Sequence, residues 1–450
     1  MNTLPVVVVG AGPIGLAAAA QLRERGLTPL VFERGGSAGA AIAEWNHVRL
    51  FSRWGELIDP AARRLLENTN SGWAAPDDAA YPTGQDWTQD YLRPLASALG
   101  DIVQVGTEVV GVARRGRDRV VDSGRDTEPL SVHLRRADGT EDRITAQAVI
   151  DASGTWTTPN PLGGEGLPAL GEKAAADVLE YRVPNLDDEA VRARYAGKHI
   201  VIAGSGHSAL TAIVALANLE KRAPGTRISW VLRRGDVGST FGGGEDDQLP
   251  ARGALGLRAK QAVDDGLLTV VPGFRTATIE PGGDGRVVLV SDTGARIDDV
   301  DRVVVLTGFR PDLSWLSEIR LGLDPVLQAP VELAPLIDPN VHSCGTVYPH
   351  GVAELSHPEP NVFLVGMKSY GRAPTFLAMT GYEQVRSIAA ALAGDHEAAA
   401  RVELTLPETG VCGGAGVFDD PDTPAAADES VGCCAAPDPQ LITLSTRAGG

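Results

Sequence analysis

Residues 6–15 read VVVVGAGPIG, and the fold turns on how this stretch is understood. Four β-branched residues in a row suit a strand buried on both faces, as in a parallel sheet. The run passes directly into Gly10, Gly12, Pro13 and Gly15, the G-x-G-x-x-G spacing, followed by the helix-like stretch LAAAAQLRERG. In such a turn the first glycine permits the tight bend and the second lets a pyrophosphate approach the backbone. The third lets helix and strand pack closely, and the helix N-terminus faces the anion. A second strand, TPLVFERG, delivers Glu33, 23 positions after Gly10, with Arg34 beside it. An acid there accepts a hydrogen bond from a ribose hydroxyl, which suits the unphosphorylated ribose of FAD.

The pattern returns at KHIVIAGSGHSALTAIVALANLEKR, where Gly204, Ser205, Gly206, His207 and Ser208 make the turn and Ala209 takes the third glycine's place. The next strand, RISWVLRRGD, ends in Arg233 and Arg234 instead of an acid. Guanidinium forks suit a 2′-phosphate, so this turn is read as binding NADPH. Two turns, 194 residues apart and with opposite charges on their partner strands, describe an electron path from nicotinamide to flavin.

The expected class is α/β, with two Rossmann-like dinucleotide-binding domains, the second inserted in the first, and a flexible cysteine-containing tail. Residues 1–162 form the first part of the FAD domain and close on AQAVIDASGTWTTPNP, a strand that runs out near Gly154 into a proline-punctuated linker. Residues 163–308 form the NADPH domain, whose return strand DRVVVLTGFRPD ends at Gly308. Residues 309–396 re-enter the first domain with a strand ending at Gly366 and a helix starting near Thr380, whose N-terminus favours negative charge on a reduced flavin ring. Residues 397–450 carry thiols, and the Pro, Gly, Asp and Ala of 407–440 predict a loosely docked tail.

The bulk numbers narrow the partners. A formal charge of −18 repels phosphate backbones, which excludes nucleic acid. Four cysteines in 450 residues make no disulfide scaffold, and a reducing cytoplasm is expected. LPVVVVGAGPIGLAAAAQL is apolar enough for a membrane span, but it lacks a basic flank and is broken by three glycines and Pro13. A strand, turn and helix account for it better. The expected partners are a small-molecule or metalloid substrate and molecular oxygen, with the oligomeric state open and a homodimer one option.

The tandem turns, the DASGTW strand end and the LTGFRPD return resemble class B flavin-dependent monooxygenases and their two-dinucleotide-domain relatives, over residues 5–395. YPTGQDWTQDYLRPLASAL resembles the segment that precedes the FAD-contacting strand in that group, which places Val109 at the cofactor. EWNHVRLFSRW, with His47, Arg49 and Trp54, is expected to line the flavin from the other side, and GMKSYGRAPTF offers Lys368, Tyr370 and Arg372 as catalytic candidates or as ordinary FAD contacts. The group's linker has a histidine that PALGEKAAADVLEYRVP lacks, although Gly171 is present, which speaks against Baeyer–Villiger chemistry on ketones. No C-x-x-C or C-x-x-x-x-C occurs, unlike the disulfide reductases. The vicinal Cys433–Cys434 resembles the tail thiols of mercuric reductases, and the whole is similar to actinobacterial flavoproteins associated with arsenic resistance.

Adjacent α-carbons lie about 3.8 Å apart, short of the roughly 4.4–6.8 Å of ordinary disulfides, so Cys433 and Cys434 suit two free thiols. With Cys412, 21 residues before Cys433, they offer three sulfurs to a trivalent metalloid. Closing that loop costs about 2–3 kcal/mol, well below the strength of metal–thiolate bonding. Incidental thiols and a zinc site stay open as alternatives, although no histidine follows His396. Cys344, between His342 and His350, reads either as a reactive thiol or as a small buried residue. The function that follows is an NADPH-dependent flavin monooxygenase of arsenite or methylarsenite. The rivals are a thiol-mediated reductase of metals or disulfides, a monooxygenase of organic sulfur or nitrogen compounds with an incidental tail, and a metalloid-binding module with little turnover.

Overall fold

The computed structural model describes residues 4–69, 72–235, 237–247, 249–341, 349–374 and 376–404. β1 (Val6–Val9), α1 (Pro13–Glu24) and β2 (Pro29–Phe32) open the chain. After short helices that include α2 (Pro60–Asn68), β3 (Val103–Gln104) joins the same sheet. The chain then makes an antiparallel meander of β4 (Thr107–Arg114), β5 (Leu130–Arg136) and β6 (Glu141–Ala146), and returns to the sheet as β7 (Ala148–Asp151).

A second unit follows the same plan. An edge strand, β8 (Leu179–Glu180), precedes β9 (His199–Ala203), α3 (His207–Glu220), β10 (Arg227–Val231), α4 (Pro250–Asp264) and β11 (Thr269–Val271). A meander of β12 (Thr276–Pro281), β13 (Val287–Ser291) and β14 (Arg296–Val300) leads to the return strand β15 (Arg302–Val305). β16 (Val362–Leu364) and α5 (Ala378–Leu392) then go back to the first unit.

The first sheet runs β16-β7-β1-β2-β3 and the second, in the same sense, β8-β15-β9-β10-β11. Every pairing in both is parallel. Strand order therefore reverses at β1 in the first sheet and at β9 in the second. The crevice at the carboxyl ends of β1 and β7, and of β9 and β15, is where such sheets hold ligands. The α/β class and the paired dinucleotide-binding architecture are those expected; the two meanders have no counterpart in the sequence reading.

Burial explains why VVVV behaves as a strand. Val6, Val7 and Val8 are wholly buried, each contributing about 1.5–3 kcal/mol through the apolar surface removed from water. α1 is buried from Ile14 to Leu22 and lies against α5, and its run of alanines permits that close approach. Farther from the crevices, Glu359 is fully buried between Arg114 and Arg125, with Arg114 Nη2 at 2.8 Å and Arg125 Nη2 at 2.5 Å. This triad ties β4 and the loop after it to the chain just before β16. Among the described residues, no helix is long and apolar enough to cross a membrane.

Candidate functional site

The first turn is wedged between its own helix and β7. Gly10 has φ +98°, and a Cβ there would stand 2.9 Å from the Ala152 carbonyl oxygen. A Cβ on Gly15 would stand 1.9 Å from the Gly10 oxygen, so only glycine lets α1 start where it does. Gly12 caps α1 in extended conformation, no side chain caps the helix, and nothing lies within 4 Å of a Cβ built there. The first-turn N–H groups of α1 thus have no side-chain cap, and there is open space beside the capping glycine. Glu33 is fixed by the turn it faces: Ala11 N–H donates to Oε2 and Gly35 N–H to Oε1, both at 2.8 Å. Each carboxylate oxygen keeps a lone pair for another donor.

The second turn repeats the geometry. Gly204 has φ +126°, and a Cβ there would stand 2.2 Å from the Leu306 carbonyl oxygen. Gly206 caps α3 without a side-chain cap and, like Gly12, has nothing within 4 Å of a Cβ. Ala209, fully buried, holds the position of Gly15. Ser205 and Ser208 are exposed. His207 opens α3 with its ring 5.1 Å from Phe51. Burial, with Arg252 nearby, lowers its imidazole to about 4, so it is neutral at physiological pH. Arg233 and Arg234 follow β10; the Arg233 guanidinium is exposed, and the Arg234 carbonyl accepts from Gly273 N–H at 2.8 Å. Gly308, at φ +93°, accepts from Asn160 N–H at 2.9 Å, where the two chain crossings between the sheets meet.

Around the first turn the remaining candidates separate. Ile14 packs against both Gly366 and Gly381, where added Cβ atoms would lie 3.2 Å and 2.5 Å from its side chain, so the start of α5, with buried Thr380, abuts the start of α1. Gly366 N–H donates to Gln384 Oε1 at 2.7 Å. Gly154, at φ +68°, also opens on free space. Arg34 is exposed, and Arg49 donates to the Tyr81 carbonyl at 2.5 Å. The Val109 side chain is buried in an apolar cluster with Val7, Val9 and Phe32. Lys368 is buried against Asp151, with Nζ–Oδ2 2.7 Å. Tyr370 is buried beside Phe376, and burial pushes its phenol up. Arg372 is exposed, with Nε donating to Gln328 Oε1 at 2.9 Å. The side chains of Lys368, Tyr370 and Arg372 therefore do not converge on one point.

A seam between the two units was missed in the sequence. Trp156, on the outgoing crossing, stacks on Phe309 of the return at 5.1 Å, with the Arg182 guanidinium 4.0 Å above the indole. Trp156 Nε1–H donates to Glu44 Oε2 at 2.8 Å, joining the seam to the loop that carries His47. Burial holds the His47 imidazole below its ordinary value, and its buried Nε2 has no hydrogen-bond partner among the described residues. The only sequence signal for the seam was an aromatic next to each linker.

Comparison with known proteins agrees with this geometry. Residues 7–332 match the model of the family described as pyridine nucleotide-disulphide oxidoreductase. The chain belongs to that family. Its fold is shared with the bacillithiol disulfide reductase of Bacillus cereus (TM-score 0.62, 19% identity, 87% of this chain and 99% of that one). It is shared also with the FAD-bound cadaverine monooxygenase of desferrioxamine biosynthesis from Erwinia amylovora (TM-score 0.60, 14% identity, 95% and 100%). A thiamine thiazole synthase of Saccharolobus islandicus is 29% identical over 186 residues, 39% of this chain and 64% of that protein. An uncharacterised monooxygenase of Sinorhizobium fredii is 27% identical over 218 residues, 47% and 28%. The chain thus spans less than two thirds of the length of these curated relatives.

The residues of this family member fit a flavin dinucleotide at the first turn. Gly12 and Gly154 leave room where side chains would stand in the way, α1 offers free backbone donors, and Glu33 offers acceptors to a ribose. Cys344, Cys412, Cys433 and Cys434 lie outside the described residues. Among the described residues, no group of three or more His, Cys, Asp or Glu is placed to hold a metal ion.

Proposed function

We propose that the chain is an NADPH-dependent FAD monooxygenase that oxidises a trivalent arsenical, arsenite or methylarsenite, captured by Cys412, Cys433 and Cys434. Residues 1–162 and 309–396 make the FAD-binding domain, 163–308 the NADPH-binding domain, and 397–450 the thiol-bearing tail, all working in a reducing cytoplasm. The single observation that carries the reading is the pair of open glycine turns with opposite charges beside them: Glu33 at the first, Arg233 and Arg234 at the second.

At the first turn, Gly10, Gly12, Pro13 and Gly15 present the α1 N-terminus to the pyrophosphate of FAD, and Glu33 accepts from its adenosine ribose. Arg34, Arg49, Val109, Gly154, Gly366 and Thr380 complete its surroundings. At the second turn, Gly204, Ser205, Gly206, His207 and Ser208 bind the pyrophosphate of NADPH, Gly308 borders it, and Arg233 and Arg234 pair with the 2′-phosphate. When bound, FAD supplies the two-electron and oxygen chemistry that no side chain provides. The protein's part is to orient the two dinucleotides and exclude water, with buried Lys368 and Tyr370 and exposed Arg372 near the end of β16. In balance, NADPH supplies two electrons, one oxygen atom of O₂ goes to arsenic, and the other leaves as water. The arsenical is argued from the sequence: three thiols bind a soft trivalent ion and release its less thiophilic pentavalent form.

A second reading, an NADPH-dependent reductase of a metal or disulfide, is favoured by the family's own chemistry and by the vicinal thiols. One set of assays separates them. NADPH and oxygen consumption are measured with arsenite, methylarsenite, thioethers and ketones, with arsenic speciation, in wild type and in the Cys412→Ser/Cys433→Ser/Cys434→Ser variant. The leading reading expects stimulation of both by an arsenical and its loss in the triple variant. Stoichiometric NADPH loss under argon would establish the reductase instead. Oxidation of sulfides or ketones alone, with a normal triple variant, ends the metalloid reading.

A further inference from the structure

Directly beneath the first turn lies a buried ion pair that sequence spacing does not link. Asp151 is the last residue of β7 and Lys368 lies four residues beyond β16, the strand paired with β7; their side chains are 0% and 1% exposed. Lys368 Nζ sits 2.7 Å from Asp151 Oδ2, donates to Ser153 Oγ at 3.0 Å, and faces the Trp315 ring with its centroid 5.0 Å away. Asp151 Oδ2 takes no aligned hydrogen bond, so the ammonium serves it chiefly as counter-charge. Asp151 Oδ1 accepts from Ser153 N–H at 3.1 Å and from Ser153 Oγ–H at 2.6 Å. Ser153 is itself exposed, touches the turn where a Gly10 Cβ would lie 3.1 Å from its Cα, and leads into Gly154 with its open side.

A carboxylate in this place is a liability. The turn above it is built to take an anion, and in a low-dielectric interior an unbalanced Asp151 would repel one. We propose that Lys368 is a positioning residue for the dinucleotide at the first turn: it cancels the Asp151 charge there and, through Ser153, fixes the Ser153–Gly154 end of β7 under the bound molecule. This rests on the reading of the first turn as the FAD site. Asp151 and Ser153 gain a role that the spacing of residues did not suggest, and Lys368 acts through them.

The test uses two variants that break the same contact but leave opposite charges. FAD affinity of the full-length apoprotein is titrated for wild type, Lys368→Met, Asp151→Asn and the double variant, and flavin midpoint potentials are measured on the loaded proteins. Lys368→Met, which leaves the anion, is expected to weaken FAD binding tenfold or more. It should also lower the potential by about 30 mV or more, a tenfold preference for the oxidised form in a two-electron couple. Asp151→Asn, which leaves the cation, should bind FAD no more weakly than wild type and shift the potential upward. The double variant, neutral again, should recover affinity to within about threefold of wild type, and it serves where Lys368→Met alone fails to fold. A purely structural contact predicts equal weakening in both single variants and no recovery in the double. Either that pattern or unchanged affinities overturns the proposal while leaving the FAD site standing. A wild-type apoprotein that takes up no FAD overturns both.

Discussion

The two glycine turns differ at one position in three, and the difference separates backbone necessity from ligand chemistry. Gly10 and Gly204 both have positive φ and both back onto a carbonyl of the return strand, Ala152 and Leu306. Gly12 and Gly206 both face open space. The third position diverges: α1 starts so close to its turn that Gly15 has no room for a methyl, whereas α3 accommodates Ala209. The partner strands diverge in charge, Glu33 against Arg233 and Arg234. First-position glycines are thus demanded by the fold, whereas on the proposed function the middle ones answer to what binds and the charges to which nucleotide it is.

The largest effect is expected where the turns differ in tightness. Gly15→Ala puts a methyl 1.9 Å from the Gly10 oxygen, so α1 must shift. Overpacking of this kind against rigid backbone costs about 3 kcal/mol. Thermal unfolding and loss of bound flavin would report it. The reverse change in the second turn, Ala209→Gly, adds only helix entropy, about 1 kcal/mol. Equal destabilisation by the two would break the distinction. Next come the middle glycines. Gly12→Ala and Gly206→Ala keep ordinary φ angles and meet no protein atom, so apoprotein melting should hardly move. FAD affinity in the first and the NADPH KM in the second should each worsen about 10-fold or more, or about 1.4 kcal/mol. If Gly12→Ala instead weakens NADPH, the assignment of the turns is reversed.

Both turns were legible because each is local: a buried strand, three spaced positions and a helix lie within a score of residues, and the fold class follows from them. What escaped the sequence depends on contacts between distant segments. Lys368 and Ser153 are 215 residues apart and Arg114 and Glu359 are 245 apart, so only the closed sheet brings them together. The meanders escaped because EDRITA and RIDDV are half polar and lack the continuous apolar run of the parallel strands. Lys368, Tyr370 and Arg372 are candidates because they precede the last helix, which the sequence places near the flavin ring. A short helical turn, Gly366–Tyr370, sends their side chains apart: Lys368 is buried against Asp151, Tyr370 lies in the core, and Arg372 is exposed.

The charge difference supplies a smaller and more selective test. Arg233→Gln/Arg234→Gln should raise the KM for NADPH about 10-fold while leaving that for NADH nearly unchanged, because only the 2′-phosphate loses its partners. A parallel rise for both nucleotides would place the arginines elsewhere than at the phosphate.

The smallest effect concerns how each half answers acid. In the second turn His207 is held down to about 4 from 6.5. The unfolded chain therefore binds the extra proton first, and stability is lost as pH falls from 6.5 towards 4. In the first half, burial raises Asp59, the N-cap of α2, to about 6 from 3.8. Here the folded state binds the proton first, so stability is present below 3.8 and lost as pH rises towards 6. The two groups oppose each other over the same window, each with a limiting slope of about 1.4 kcal/mol per pH unit, reduced for His207 because solvent still reaches it. Urea unfolding between pH 4 and 6.5 should show a flatter acid limb in His207→Phe. It should show a steeper one in Asp59→Asn, whose amide can still cap α2. Parallel curves for the two variants would mean that neither group changes its protonation on folding, and that the two halves do not differ in this respect.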